Sequence, residues 1–324
     1  MKAALVLAAA VFSTAGLVHA QAWPTKTVRI IVPTSPGGLN DLLSRSSGAQ
    51  VAEATGQSVV VENRPSAGSI VGMEACARAV PDGYTVCVTT SEPLVTNPLL
   101  YTKLPYDADN DFALVTLLAN TFGVIIAHPS AGGSTFAEVM AVAKAKPGSL
   151  NWATWGAASS PAIFMDWVSR QNGVTFTPIP YKGAGPSIPA IVGGEVQLTY
   201  TGIGLAVQHV KSGKLRALAV SGNRRVPFLP GVPSLAEFNS DPGLNSYFAM
   251  YTQAKVPPPV VERISAEFAK AMKTQKLQDL MQAQAMEAVG NTPAEFAKFH
   301  AADRANATRI FKTLGIKASE APTI

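Results

Sequence analysis

The sequence predicts an α/β protein of two lobes, each built on a parallel-rich sheet flanked by helices, with the chain crossing between them twice. Three observations predict it. Short β-branched runs alternate with helical stretches in both halves of the chain. Glycine- and serine-rich turns stand at the ends of several of those runs. Two apolar segments, Leu114 to Ala127 and Tyr247 to Ala254, are placed to carry the chain from one lobe to the other. Strands separated by single helices pair in parallel and need both sheet faces covered.

The elements begin after residue 20. Met1-Lys2 is a short positive start, Ala3 to Val18 an apolar run, and Val18-His19-Ala20 offers the small residues of a cleavage site. Residues 1–20 therefore read as a secretory signal peptide, with the mature chain starting at Gln21 in the periplasm. The run of about sixteen residues is shorter than the roughly 20 a membrane span needs. No Cys follows the cleavage site to carry a lipid anchor.

Val28 to Val32 is the first strand, and Asp41 to Thr55 has helical spacing that stops at Gly56. Val59 to Val61 is the next strand. Helical Gly72 to Val80 runs into the turn Pro81-Asp82-Gly83, and Tyr84 to Thr90 follows as a strand. Beyond the first crossing come helix Thr135 to Ala145, strand Asn151 to Thr154, helix Pro161 to Asn172 and strand Phe176 to Pro180. Helix Pro186 to Gly193, strand Val196 to Tyr200, helix Ala206 to Ser212 and strand Leu215 to Val220 complete the second lobe. Val226 to Gly243 is loop-like. Val260 to Met286 and Pro293 to Leu314 read as two amphipathic helices, each with proline near its start. This order assigns residues 21–123 and 247–324 to lobe I and residues 124–246 to lobe II.

Composition narrows the function. The 304 residues after position 20 carry 25 basic and 21 acidic side chains, a charge of +4 with no basic run, so no nucleic-acid partner is indicated. A mildly positive surface suits an anionic ligand. Cys76 and Cys87 either close a disulfide in the oxidising compartment that export implies, or stand as two buried thiols on neighbouring elements. His128, His209 and His300 are far apart and lack metal-ligand spacing, and no serine sits in a Gly-x-Ser-x-Gly elbow. Gly202-Ile203-Gly204 lacks the third glycine of a dinucleotide loop. No catalytic residue, cofactor or metal is therefore assigned.

Ligands of such sheets bind at the carboxyl ends of strands, where loops meet helix N-termini. Pro33-Thr34-Ser35-Pro36-Gly37-Gly38-Leu39-Asn40-Asp41 is one such turn. Its glycines admit close backbone approach and its helix start favours an anion, although a plain capped turn has the same residues. Thr154-Trp155-Gly156-Ala157-Ala158-Ser159-Ser160-Pro161 repeats the arrangement in the second half. Thr89-Thr90-Ser91-Glu92 and Tyr181-Lys182-Gly183 are two further polar strand ends. One anion-friendly turn per lobe could grip both ends of a carboxylate, or two carboxylates.

At these same segments the chain resembles the Bug-type extracytoplasmic solute receptors of tripartite tricarboxylate transporters. The resemblance spans nearly all of residues 23–317. It rests on Trp23-Pro24-Thr25-Lys26, Ile31-Val32-Pro33 with Pro36-Gly37-Gly38 and Asp41, Val61-Glu62-Asn63-Arg64-Pro65, and Pro81-Asp82-Gly83-Tyr84-Thr85. It continues in Leu104-Pro105-Tyr106-Asp107, Pro180-Tyr181-Lys182-Gly183, Gly213 to Val220 and Pro230-Gly231-Val232-Pro233-Ser234. The resemblance implies a type II periplasmic-binding-protein fold of the Venus-flytrap kind. It also implies a monomeric, non-catalytic receptor that hands a small carboxylate to a permease of one large and one small membrane subunit. In the family a carboxylate is held by backbone amides and waters at the first glycine loop. Here that role falls to Ser35, Gly37 and Gly38 with Ser91 nearby, opposed by Gly156, Ala157, Ser159 and Ser160.

Three positions depart from the family pattern. Thr34 replaces a frequent aromatic, Trp155 a small residue, and Thr201 a frequent Asp. Losing that carboxylate disfavours an amino-acid ligand. Moving the aromatic to the other lobe suggests a flat or long mono- or dicarboxylate stacked on Trp155, in a slot completed by Thr34, Asp41, Thr154, Tyr181 and Thr201. A sensor presenting its closed form to a membrane signalling kinase, and a hydrolase or lyase on the same scaffold, are the alternative readings.

Overall fold

The computed structural model describes residues 23–155, 159–181 and 183–319. The expected signal peptide, Gly156, Ala157 and Lys182 lie outside the described residues.

The chain opens with β1 (Val28–Val32), α1 (Leu39–Thr55), β2 (Val59–Asn63), α2 (Ile70–Ala77), β3 (Thr85–Thr90), the short α3 (Asn97–Leu100) and β4 (Phe112–Thr121). It continues with β5 (Gly123–Ala127), α4 (Phe136–Ala145), β6 (Asn151–Thr154), α5 (Ser160–Asn172), β7 (Thr177–Pro180), α6 (Ala184–Val192), β8 (Leu198–Gly202), α7 (Ile203–Lys211) and β9 (Arg216–Val220). It closes with β10 (Ser246–Gln253), α8 (Pro258–Met272), α9 (Gln275–Ala283), β11 (Met286–Ala288) and α10 (Pro293–Leu314). Two sheets result, in the orders β11-β4-β10-β3-β1-β2 and β7-β6-β8-β5-β9. Each anchors one lobe.

Local chemistry accounts for the elements. The β1 run is fully β-branched except Arg29, and Val28, Ile30, Ile31 and Val32 are buried in the six-stranded lobe. Helix α1 ends at Gly56, whose φ of 69° closes the last turn by donating its N–H to Ala52 O. Thr135 with Glu138, and Thr292 with Glu295, form capping boxes that start α4 and α10. Apolar layers cover both faces of each sheet: Val86, Val88, Ile264 and Phe268 on one side of the first, Ile31, Met73, Tyr247 and Phe296 on the other. In the second sheet the layers are Phe136, Trp152 and Leu198, and Val124, Ile191 and Val220.

The sheets are mixed. β1 pairs in parallel with β2 and β3, and β6 with β7 and β8. The strands that link the lobes run the other way: β10 is antiparallel to β3 and β4, and β5 to β8 and β9. The apolar stretch Leu114 to Ala127 is two strands in different sheets, separated by Phe122 alone. Gly123 is required there, because a Cβ would collide with the Tyr200 ring. Tyr247 to Ala254 does not itself cross. It lies in the first sheet as β10, and the loop between β9 and β10 makes the passage. The single helix read over Val260 to Met286 is broken. Thr274, in extended conformation, holds the N-cap position of a new helix while its hydroxyl donates to Ala271 O at 2.8 Å, and Ala285, at φ 52°, turns the chain into edge strand β11.

Cys76 on α2 and Cys87 on β3 form a disulfide, with Cα atoms 6.2 Å apart. The double variant Cys76→Ser/Cys87→Ser should lose about 2–3 kcal/mol in denaturant unfolding, the chain-entropy cost of so short a loop. An unchanged midpoint would contradict this.

His300 on α10 is 7% exposed, and its Nδ1 has no hydrogen-bond partner among the described residues. Burial holds its pKa down at about 4. Between that value and about 6.5 the unfolded chain binds a proton the folded chain refuses, so stability falls as pH drops through this window. The loss should reach about 3 kcal/mol. His300→Gln should remove that slope in urea titrations at stepped pH.

Candidate functional site

β1 delivers the chain into the first glycine loop. Ser35, Gly37 and Gly38 are exposed, while Asn40 and Asp41 are buried in the first turn of α1. Gly37 takes φ +83°, open to glycine and costly to most other residues. Gly38 is the N-cap, and no side chain caps α1, which leaves the first-turn amides facing the loop. Asp41 is the loop's brace. Its Oδ2 accepts from Gly37 N–H at 3.0 Å and Arg45 Nε at 3.0 Å, and its Oδ1 from Asn63 Nδ2 at 3.0 Å. Asn63 Nδ2 also donates to Thr34 O at 3.1 Å, and Arg45 donates to Asn63 Oδ1 at 2.8 Å. Burial pushes the Asp41 carboxyl up, but Arg45, the Gly37 amide and Asn63 outweigh it and hold it below its ordinary value. Asp41 is thus committed to the shape of the loop.

In the second lobe, Trp155 follows β6. Its backbone N–H donates to Ser159 Oγ at 3.1 Å and its indole Nε1 to Ser187 Oγ at 3.0 Å, so both the turn and the ring plane are fixed. Tyr181 N–H donates to Thr154 O at 2.8 Å, extending the β6–β7 pairing by one residue. Thr201 is 1% exposed, and its hydroxyl has no partner among the described residues; the same holds for the buried hydroxyl of Thr34.

Between the lobes lies a cavity of about 340 Å³. Lobe I contributes Thr90, Ser91, Glu92 and Thr96, and lobe II contributes Trp155, Ser159, Ser160 and Ile163. The returning loop adds Leu244 and Asn245, the start of β10 adds Ser246, and α10 adds Asp303. A second cavity of about 350 Å³ flanks the same loop, between Phe122, Arg224 and Glu287. The first is the better candidate, because only it lies where the carboxyl ends of β3 and β6 meet the start of α5.

Of the expected residues, Ser91, Trp155, Ser159 and Ser160 come together in this cavity. Thr34, Ser35, Gly37, Gly38, Asp41, Thr154, Tyr181 and Thr201 are not among its lining residues. Sequence reasoning assigned no role to Asn245 and Asp303, which join two distant segments: Asn245 Nδ2 donates to Asp303 Oδ1 at 2.8 Å, and Ser91 Oγ donates to Asn245 O at 3.4 Å. No local motif signals that pairing. Glu92 opens to the cavity, but the walls crowd its carboxyl, and this burial raises its pKa; burial also raises that of Asp303, opposed by Asn245.

The tripartite tricarboxylate transporter family receptor model matches residues 43–316. BugT of Bordetella pertussis (strain Tohama I) is 28% identical over 292 residues, 89% of this chain and 90% of that protein. Among solved structures, R. palustris Rpa4515 with adipate is 26% identical with a TM-score of 0.80, covering 92% of this chain and all of that one. The periplasmic binding protein BugD is 26% identical with a TM-score of 0.77 and the same coverage.

The brace gives a direct test. Asp41→Ala strands Arg45, Asn63 and the Gly37 amide, and should cost about 1–3 kcal/mol in denaturant unfolding. A loss below 0.5 kcal/mol, on the order of an exposed substitution, would show that the loop holds its shape without it.

Proposed function

Because the chain belongs to the tripartite tricarboxylate transporter receptor family, we propose that it is a periplasmic receptor that captures a small carboxylate by lobe closure and delivers it to the membrane permease. The single observation that carries this reading is the interlobe cavity, in which Ser91 of one lobe opposes Trp155, Ser159 and Ser160 of the other. Residues 21–123 and 247–324 act as one jaw and residues 124–246 as the other. The first glycine loop, with Ser35, Gly37 and Gly38, takes the carboxylate through backbone N–H groups. Thr34, Tyr181 and Thr201, which lie outside the lining of this cavity, join the slot only as the lobes close, and Trp155 offers its ring to a flat ligand body.

The mechanism is a population shift. A ligand touching one lobe stabilises open and closed forms alike, whereas one touching both lobes favours closure by the contacts it gains there. The permease then reads the closed form. The protein catalyses nothing; the side chains that line the cavity orient and exclude water. Adipate, bound by the R. palustris relative, sets the size of ligand to try first.

A thermal-shift screen of small carboxylates followed by calorimetry tests this. A ligand binding only the folded form at 100 times its Kd should stabilise by about 2.7 kcal/mol. An aromatic acid should lose about 0.5–1.5 kcal/mol of binding on Trp155→Ala, with the aliphatic acid of equal charge little affected. Citrate binding as tightly as any aromatic acid would defeat the stacking reading.

A further inference from the structure

The cavity carries charge of the wrong sign for a second carboxylate. Its described lining includes two acids, Glu92 and Asp303, and no lysine or arginine. Asp303 is 3% exposed and already accepts from Asn245 Nδ2 at 2.8 Å, so it serves the wall. Glu92 differs. It stands in the first turn of the segment Glu92–Thr96, directly after Ser91, and its backbone O is taken by Thr96 Oγ1 at 3.2 Å. Its carboxylate accepts no hydrogen bond and joins no ion pair among the described residues, although the residue opens into the cavity. Across the cavity, the Trp155 indole N–H is occupied by Ser187, so the ring presents an apolar face there.

Glu92 is an exposed residue of the cavity wall, so water serves its carboxylate until a ligand brings a cation to it. The hydroxyls of Ser91, Ser159 and Ser160 are polar enough to admit a hydrated or charged group, but none brings positive charge. The sequence placed the loss of an amine partner at Thr201. The three-dimensional arrangement restores an acid at a different point, on the opposite lobe.

Resting on the receptor reading above, we propose that Glu92 is a specificity-determining residue that selects ligands bearing a cationic nitrogen at the end opposite their carboxylate. The class of solute is thus an amino carboxylate with its charges separated, its body lying along Trp155 and its ammonium meeting Glu92. A diacid of the same length puts like charge against Glu92 and is rejected.

Two matched series test this by calorimetry on the full mature chain. One is ε-aminocaproate, adipate and caproate; the other is para-(aminomethyl)benzoate, terephthalate and benzoate. The wild type should bind the amino acid of at least one series about tenfold or more tighter than its diacid. Glu92→Gln should erase that ratio, and Glu92→Lys should reverse it in favour of the diacid. Circular dichroism of both variants checks that they remain folded, which the absence of side-chain bonds at Glu92 among the described residues predicts. Diacids binding as well as or better than the amino acids, or a ratio unmoved in Glu92→Gln, overturns the assignment of Glu92 and leaves the receptor standing. If none of the six compounds binds, the carboxylate receptor reading fails with it.

Discussion

The site depends on how little chain separates the two sheets. β4 ends at Thr121 and β5 begins at Gly123, so one residue sets the distance between the lobes on that side. Gly123 pairs with Gly202 at the carboxyl end of β8, and its N–H is held by Ser221 Oγ at 3.0 Å. β10 then returns antiparallel to β3, with Phe248 opposite Thr90, which puts Asn245 and Ser246 beside Ser91. Ser246 also meets Thr121, through hydroxyls 2.7 Å apart. Because β6 runs parallel to β8, the turn after Thr154 points to the same region. The carboxyl ends of both sheets are brought face to face by pairing register, before any side chain in the cavity is considered.

A second contact restricts how the lobes can move. Ile163 and Trp167 of α5 pack with Ile310, Phe311 and Leu314 of α10, joining the lobes through an apolar cluster. Arg170 adds hydrogen bonds at 2.8 Å to Thr313 O and 3.0 Å to Leu314 O, satisfying carbonyls at the end of α10. Arg309 lies over the Trp167 ring at 5.3 Å. Opening by wide separation would expose this cluster to water and leave those carbonyls unpaired. A rotation about the α5–α10 contact and the crossing loops avoids both costs. Ile163 belongs at once to this contact and to the cavity wall.

Much of this was legible in the sequence, and the reasons are local. β-Branched runs located most strands of both lobes to within a residue or two, because each buries its own periodic face, whereas β4 and β5 read as one stretch and β11 was hidden at the end of a helical pattern. The order of the elements pointed to two lobes, and the family resemblance, confirmed by the match over residues 43–316, implied the same arrangement. What failed was non-local. Whether β10 lies in a sheet or between sheets depends on its partners, β3 and β4, and nothing within Tyr247 to Ala254 records them. The break at Thr274 has no side-chain cap to mark it, and the amphipathic pattern on either side concealed it. In the site, Ser91, Trp155, Ser159 and Ser160 were found because they follow strand ends. Asn245 and Asp303 were missed because 58 residues separate them and only α10 brings them together.

The electrostatics of the cleft follow from which charges are already spent. The first glycine loop contains a carboxylate, Asp41, yet that charge is answered within the loop by Arg45, Asn63 and a backbone amide. What such a loop offers a ligand is the partial positive charge of uncapped helix amides, which attracts an anion without a counter-ion. Discrimination between anions needs a full charge elsewhere. Asp303 is bound to Asn245, which leaves Glu92 as the acid of the described cavity lining whose carboxylate has no bond of its own. In the reading proposed above, the backbone of the glycine loop takes the carboxylate that a solute class shares, and the charge of Glu92, on the same lobe, distinguishes among its members.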